Sequence, residues 1–316
     1  MIRGSVFSRS IAEIEEEFRQ LRKSILEEYD GELLRVKEES AVRSEEMARK
    51  EEEVRRTLAE SGIEIGKLDG MEDARKLRLD EFLHRVRPRF VDMAPRFDIH
   101  LREKTARLAF SSSLGSSQAS LLGADLLASD MEFLAKIEGE IGNPSVWLYD
   151  ANQLKDLMSV AKGSGWGWGA YGHVPYANQA IWWYSWVPPE TGTYWIYAGM
   201  YYHGFYILYA DDNWYTSKNA EVHAFTDIEA HQYYWHGKKE IRIIDRGNDN
   251  ISESSNLSGS SIWSFNEHFG AGDTVLFKVR FALDTDARGD GSYAELNFST
   301  GKANYIGAPI VIVTKI

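Results

Sequence analysis

The chain has 316 residues, 43% of them hydrophobic, a net charge of −12 and no cysteine. That length exceeds one ordinary domain, so two folded units are expected. The acidity argues against a nucleic-acid-binding surface, which needs excess Lys and Arg, and the missing cysteine excludes disulfides, a thiol nucleophile and cysteine-ligated zinc.

The first element is a predicted helix opening at Ser10, where Ser10 and Glu13 form a capping box. Ile11, Ile14, Phe18, Leu21 and Ile25 follow at spacings of 3, 4, 3 and 4, a coiled-coil seam. Tyr29, Leu33 and Val36 continue it through a stutter, and Val54 and Leu58 restore it. A helix of about fifty residues would reach about 75 Å. Its narrow apolar stripe needs a partner stripe. Ile at both seam positions of the first heptad points to a homo-oligomer, a trimer before a dimer, with an intrachain helical bundle as the competing arrangement.

Gly62, Gly66 and Gly70 mark a break, and residues 71–86 resume a helical pattern through Leu77, Leu79, Phe82 and Leu83. Pro88 and Pro95 interrupt the chain again. Residues 97–110 are predicted helical, 111–117 a Ser/Gly joint, and 119–141 a further helix that Asn143-Pro144 closes. A short helix is expected over 152–161.

All ten tryptophans lie after position 146, and between Gly163 and Ala210 the only charged residue is Glu190. The periodicity changes to two here. Strands are predicted at 180–187, 193–200, 204–210, 220–230, 240–245, 274–283, 293–298 and 309–315. In 274–283, Val275, Phe277, Val279, Phe281 and Leu283 alternate with Lys278 and Arg280. The uncharged run 191–210 is long enough to span a membrane as a helix, but its six tyrosines and paired glycines read as strands, so no membrane span is expected. The expected fold class is therefore α+β in segregated parts: N-terminal long helices (coiled coil or helical bundle) over 1–145, then an all-β antiparallel sandwich, jelly-roll-like, over 146–316.

Three constellations could carry function. In Gly163–His173, glycines alternate with Trp166 and Trp168 ahead of Tyr171 and His173. Glycine weakens a strand interior, so these four residues are the candidate ligand-binding set, with inward or intersubunit packing as the alternative. Asp284, Asp286, Asp290 and Glu295 have the spacing of a calcium loop. Arg288 puts a cation where that loop needs an oxygen, so a plain polar hairpin tip competes, and calcium is the one cofactor entertained. Glu221, His223, Phe225, Asp227, Glu229 and His231 fall at every second position. One strand face would then gather Asp227, Glu229 and His231 for a metal or an acid–base pair, or simply face water. No motif identifies a reaction.

The phrase Trp186-Val-Pro-Pro-Glu-Thr-Gly192-Thr-Tyr194, with the later Gly272-Asp273-Thr-Val275, resembles jelly-roll heads of the C1q type and of viral or phage fibre tips, over residues 180–316. The resemblance implies a trimeric head after an elongated stalk. The expectation is a non-enzymatic, fibre- or appendage-like structural protein of a virion or cell surface. It would oligomerise through its helices and bind a glycan, a surface protein or a neighbouring subunit through its β head. A carbohydrate-active jelly-roll enzyme and a filament subunit are the alternatives. No apolar run follows Arg3, so no secretory signal is expected.

Overall fold

A computed structural model of the chain describes residues 51–91, 132, 133, 135–141, 157–163, 176–212, 218–299, 304–307 and 310–316, with scattered helical positions between 20 and 50. The capping pair and the seam from Ile11 to Val36 lie outside these residues.

Residues 51–60 are helical and end at a reversal in which Gly62 takes φ 83° and Ile63 N–H donates to Leu58 O. A left-handed residue with back-bonded amides is a common helix stop. Helix α1, Ile65–Val86, follows, and after Arg87 the four-residue helix α2, Pro88–Val91. Leu58, Ile63 and Ile65 close around Leu68 to make the elbow, and Arg55 pairs with Asp69 across it.

The rest is antiparallel sheet. The strands are β1 Glu132–Phe133, β2 Ala135–Ile141, β3 Met158–Lys162, β4 Tyr176–Trp186, β5 Gly192–Asp211, β6 Asn219–His231, β7 Trp235–Asn248, β8 Asn250–Phe269, β9 Val275–Arg288, β10 Tyr293–Asn297, β11 Tyr305–Ile306 and β12 Ile310–Lys315. One sheet runs β2-β4-β9-β6-β7. The other is built on the twenty-residue β5, with β8 along one edge and β12, β11 and β10 in succession along the other; β1 extends β12 and β3 extends β10.

The two sheets pack face to face. Alternate residues of β5, among them Ile196, Ala198, Met200, Tyr206 and Leu208, meet Trp182, Val222, Phe277, Val279 and Phe281 in one apolar core. Trp186 sits edge-on to Tyr194 at 4.8 Å, and Phe281 edge-on to Phe298 at 5.1 Å, the offset geometry that aromatic quadrupoles favour. The uncharged run 191–210 is therefore one strand. Its even positions fill the core, while Trp195, Tyr201 and His203 lie on the opposite face and are partly exposed. Gly204 is no breaker: a Cβ there would stand 2.5 Å from Asn297 O and the Phe298 ring, so β10 passes too close for any side chain. No helix among the described residues is long and apolar enough to cross a membrane.

The expected fold class fails in its segregated helical part. Beyond the helical residues 51–60, the described helices are 22 and 4 residues long, and α1 is no free stalk. Leu79, Phe82, Val86 and Phe90 pack on Phe205, Ile207, Tyr209 and Tyr293, the outer face of the β5 sheet. The buried positions Leu68, Glu72, Arg75, Leu79, Phe82 and Val86 keep seam-like spacing of 4 and 3, but the stripe meets a sheet. Leu77, counted as part of the apolar pattern, faces solvent. Residues 135–141, expected within a helix, pair as β2 with β4, and 158–161, the end of the helix expected over 152–161, lie in β3 against β10. Cross-strand partners that sequence spacing does not show have overridden the local pattern.

Burial raises the pKa of several tyrosines. Tyr184 and Tyr202 are pushed up by desolvation, Tyr293 by desolvation and the Glu295 carboxylate, and Tyr206 by desolvation and Glu253 to about 12. The folded state thus favours their neutral forms. The resulting stability is complete below the ordinary value of 10.0 and disappears as pH rises through the folded values. A spectrophotometric titration at 295 nm should show a late class of tyrosines that ionises together with loss of the far-ultraviolet dichroism, beginning above pH 10. A titration completed with the dichroism intact would contradict this burial.

Candidate aromatic binding tip

The side-chain alternation of β6 places Val222, Ala224, Ile228 and Ala230 in the core and the odd-numbered polar set on the outer face. Opposite, β9 presents Arg280 to Asp227 and Lys278 to Glu229 in direct register. Arg280 Nε lies 2.9 Å from Asp227 Oδ2, and Lys278 Nζ 2.5 Å from Glu229. Cross-strand opposite charges of this kind stabilise a sheet face. Lys238 adds a second cation near Asp227 at 3.7 Å, and Arg280 lies over Phe225 at 4.9 Å. His223 Nδ1 is 2.9 Å from Asp245. Asp227 and Glu229 are held by cations, and His231 packs on an aromatic ring, so the three do not form a metal set.

The candidate calcium ligands are not brought together. Asp284 and Asp286 lie on β9, and Asp286 pairs with Arg288 at 3.1 Å. Asp290 sits in the turn and pairs with Lys76 of α1 at 2.6 Å. Glu295 is buried on β10, where it accepts hydrogen bonds from Arg87 (2.9 Å), Tyr293 (2.5 Å) and Asn297 (2.8 Å). Residues 284–295 carry the chain from β9 of one sheet to β10 of the other, and Asp290 and Glu295 tie this connection to Lys76 of α1 and to Arg87. No group of three or more His, Asp or Glu among the described residues could hold a metal ion. Trp166, Trp168, Tyr171 and His173 lie outside the described residues. Their flanks are placed: Gly163 N–H donates to Ser292 O, and Tyr176 is in register with Thr285.

The exposed aromatic surface lies at the other end of the sheet. β6 ends at His231, whose register partner on β9 is Leu276. That is nine residues from Thr285, or about 30 Å at the usual strand rise. Here Tyr233, Tyr234 and Trp235 stand 59%, 66% and 37% exposed at the β6–β7 turn. Three consecutive aromatics cannot all turn inward from a strand of period two.

The tip is tied down on both sides. Gln232 donates to Gly270 O and accepts from Gly270 N–H, both at 2.8 Å, fixing the turn to the β8–β9 connection. Tyr233 Oη donates to the Asp273 carboxylate. Tyr234 lies against His236 with ring centroids 4.3 Å apart, and His236 meets Phe269 of the core edge-on at 5.9 Å. Glu267 stands 3.4 Å from His236 Nδ1. Trp235 packs on His231 at 5.0 Å, with Lys278 Nζ 4.8 Å from its ring. The result is three anchored, solvent-exposed rings with carboxylates, a lysine and two imidazoles beside them. Such a surface can stack on a flat apolar ligand face while its rim bonds hydroxyls.

The two phrases behind the jelly-roll resemblance meet beside this tip. Gly272 N–H donates to Pro188 O at 3.0 Å, and Ala271 N–H to Thr191 Oγ1 at 2.9 Å. They buttress the turn that holds Gln232 and Tyr233.

Neither the family models nor the curated proteins compared with the chain gave a match, so no family stands behind the resemblance to C1q-type and fibre-tip heads. Among solved structures the chain is similar to TmCBM61 in complex with β-1,4-galactotriose, at 11% identity over 50% of this chain and 86% of that one, with a TM-score of 0.18. It is also similar to Eiger TNF from S. frugiperda, at 12% identity over 45% and 91%, TM-score 0.13. A third is a Paenibacillus sp. cycloisomaltooligosaccharide glucanotransferase complexed with cycloisomaltoheptaose, at 12% identity over 59% and 19%, TM-score 0.14. Likeness at this level fixes neither a family nor a ligand.

Proposed function

We propose that the protein is a non-enzymatic binding protein whose β-sandwich takes a glycan at the β6–β7 tip. The observation that carries this reading is the run Tyr233, Tyr234 and Trp235, exposed together and anchored from below. A pyranose offers a flat C–H face to such rings and hydroxyls to Glu229, Glu267 and Asp273. Three carboxylates against Lys278 favour a neutral sugar over a uronic or sialic acid, because like charges repel across a contact. The anchoring through Gln232 and His236 leaves little ordering to be done on binding, which raises affinity.

The placed flanks of the candidate set Trp166, Trp168, Tyr171 and His173, namely Gly163 and Tyr176, lie at the opposite end of the sheet. The test is calorimetric titration of neutral oligosaccharides into the intact chain and into Tyr234→Ala and Trp235→Ala. Each truncation should weaken binding by roughly tenfold or more, given about 1.5–3 kcal/mol for a large buried side chain. Binding that survives both, and fails on truncating Trp166 and Trp168, would move the site to the loop.

A further inference from the structure

The two strands that close one side of the sandwich are treated differently. The outer edge of β7 carries Lys238, Lys239, Glu240, Arg242, Asp245 and Arg246, and its pairing with β6 is interrupted by two register shifts. Charges and bulges of this kind protect an exposed edge from pairing with another chain. β8 carries neither. It pairs along all twenty residues with β5 without a register shift, and among the described residues no strand lies along its other edge. From Asn250 to Asn266 every second residue, on the outer face, is Ser or Asn, with the single exception of Ile262. Most of these positions are exposed, whereas Trp263, Phe265 and Phe269 on the inner face are buried.

We infer that β8 is an assembly edge and that its occupant is β8 of a second copy of this chain, paired antiparallel about a two-fold axis. The partner is chosen by self-compatibility. A two-fold strand pair sets residues of constant number sum opposite each other, so, the partner of Ile262 aside, each outer-face residue from Asn250 to Asn266 that is paired within that run meets another from the same Ser/Asn set. Centred on Ser258, the register sets Asn250 against Asn266 and Ser252 against Ser264, all uncharged. The inner face has two charges, Glu253 and Glu267, engaged with Tyr206 and His236. They oppose each other only in the register centred on Ser260, which their repulsion disfavours. Lysines or glutamates along the outer face would have forbidden every such pairing. This inference is independent of the glycan reading, since the tip's aromatic residues lie at the β6–β7 turn and Glu267, near the end of β8, is the strand's one contribution to the rim.

Sedimentation equilibrium of the intact chain should give a reversible dimer at micromolar concentrations. Ser258→Lys with Ser260→Lys should sediment as monomer, with unchanged dichroism and melting. Mixing it with Ser258→Glu/Ser260→Glu should restore a dimer containing one of each, because opposite charges then face across the edge. Tyr234→Ala should leave the dimer intact, which separates this result from any failure of sugar binding. A wild-type chain monomeric throughout, or a lysine variant that dimerises as the wild type does, would overturn the proposal.

Discussion

Replacing Lys218 by methionine should cost about 3–5 kcal/mol of folding stability, the usual loss when one partner of a buried ion pair is removed. Lys218 is fully buried, and its Nζ lies 2.7 Å from Glu72 of α1 and also donates to the backbone carbonyl of Asp290. Burial lowers the lysine's ionisation while the Glu72 hydrogen bond opposes it, so the charge is kept in the interior by that carboxylate. Glu72 and Arg75, 2.5 Å apart, occupy two consecutive buried positions of the α1 stripe. With methionine in place, Glu72 keeps Arg75 but loses its cation from the β domain. Adding Glu72→Gln should return part of the loss, so the double variant falls short of the sum of the singles. Urea denaturation midpoints of the four proteins measure this. Strict additivity would mean that the pair does not couple α1 to the sandwich.

Phe82→Ala should cost a comparable amount, about 3–5 kcal/mol for truncating a buried phenylalanine. Phe82 packs on Tyr209 with ring centroids 5.1 Å apart, in the same cluster as Leu79, Val86 and the stacked pair Phe90–Phe205. The loss falls on the helix–sheet junction and spares the inter-sheet core. Limited proteolysis of this variant should therefore cut first between residues 65 and 91 and leave the sheets resistant. Were α1 an independent stalk, the substitution would leave the melting of the β domain unchanged and create no new cleavage sites there.

The β part was readable where one face is dry and the other wet. Val275, Phe277, Val279, Phe281 and Leu283 enter the core from β9 as their alternation predicts, and all are buried. β6 likewise separates its apolar even positions from its polar odd ones. The helical part was readable as helix but not as to its partner. A stripe spaced 4 and 3 fits a sister helix or a sheet equally well, and nothing in α1 specifies Phe205, Ile207 and Tyr293 as what it meets. Strands β2 and β3 were misread because each is fixed by pairing with a distant segment, β4 and β10, and short segments follow such partners against their local pattern.

The exposed aromatic tip was missed for a different reason. His231-Gln-Tyr-Tyr-Trp-His236 breaks the alternation of β6 with three successive aromatics, and that break is visible in the sequence. It was overshadowed by the longer Gly/Trp run at 163–173. The calcium spacing was matched by residue type alone. Geometry sends Asp290 to Lys76 and Glu295 to Arg87, because the turn with Gly289 and Gly291 at positive φ crosses from β9 in one sheet to β10 in the other.

The most direct test of the account is intrinsic tryptophan fluorescence of the intact chain titrated with neutral oligosaccharides, alongside the double variant Tyr234→Ala/Trp235→Ala. The account predicts a saturable change in emission for the wild type and none for the double variant, with both proteins melting at the same temperature. Equal, saturable binding by the two proteins would contradict the placement of the site at the β6–β7 tip, and no response from the wild type to any neutral glycan would contradict the function itself.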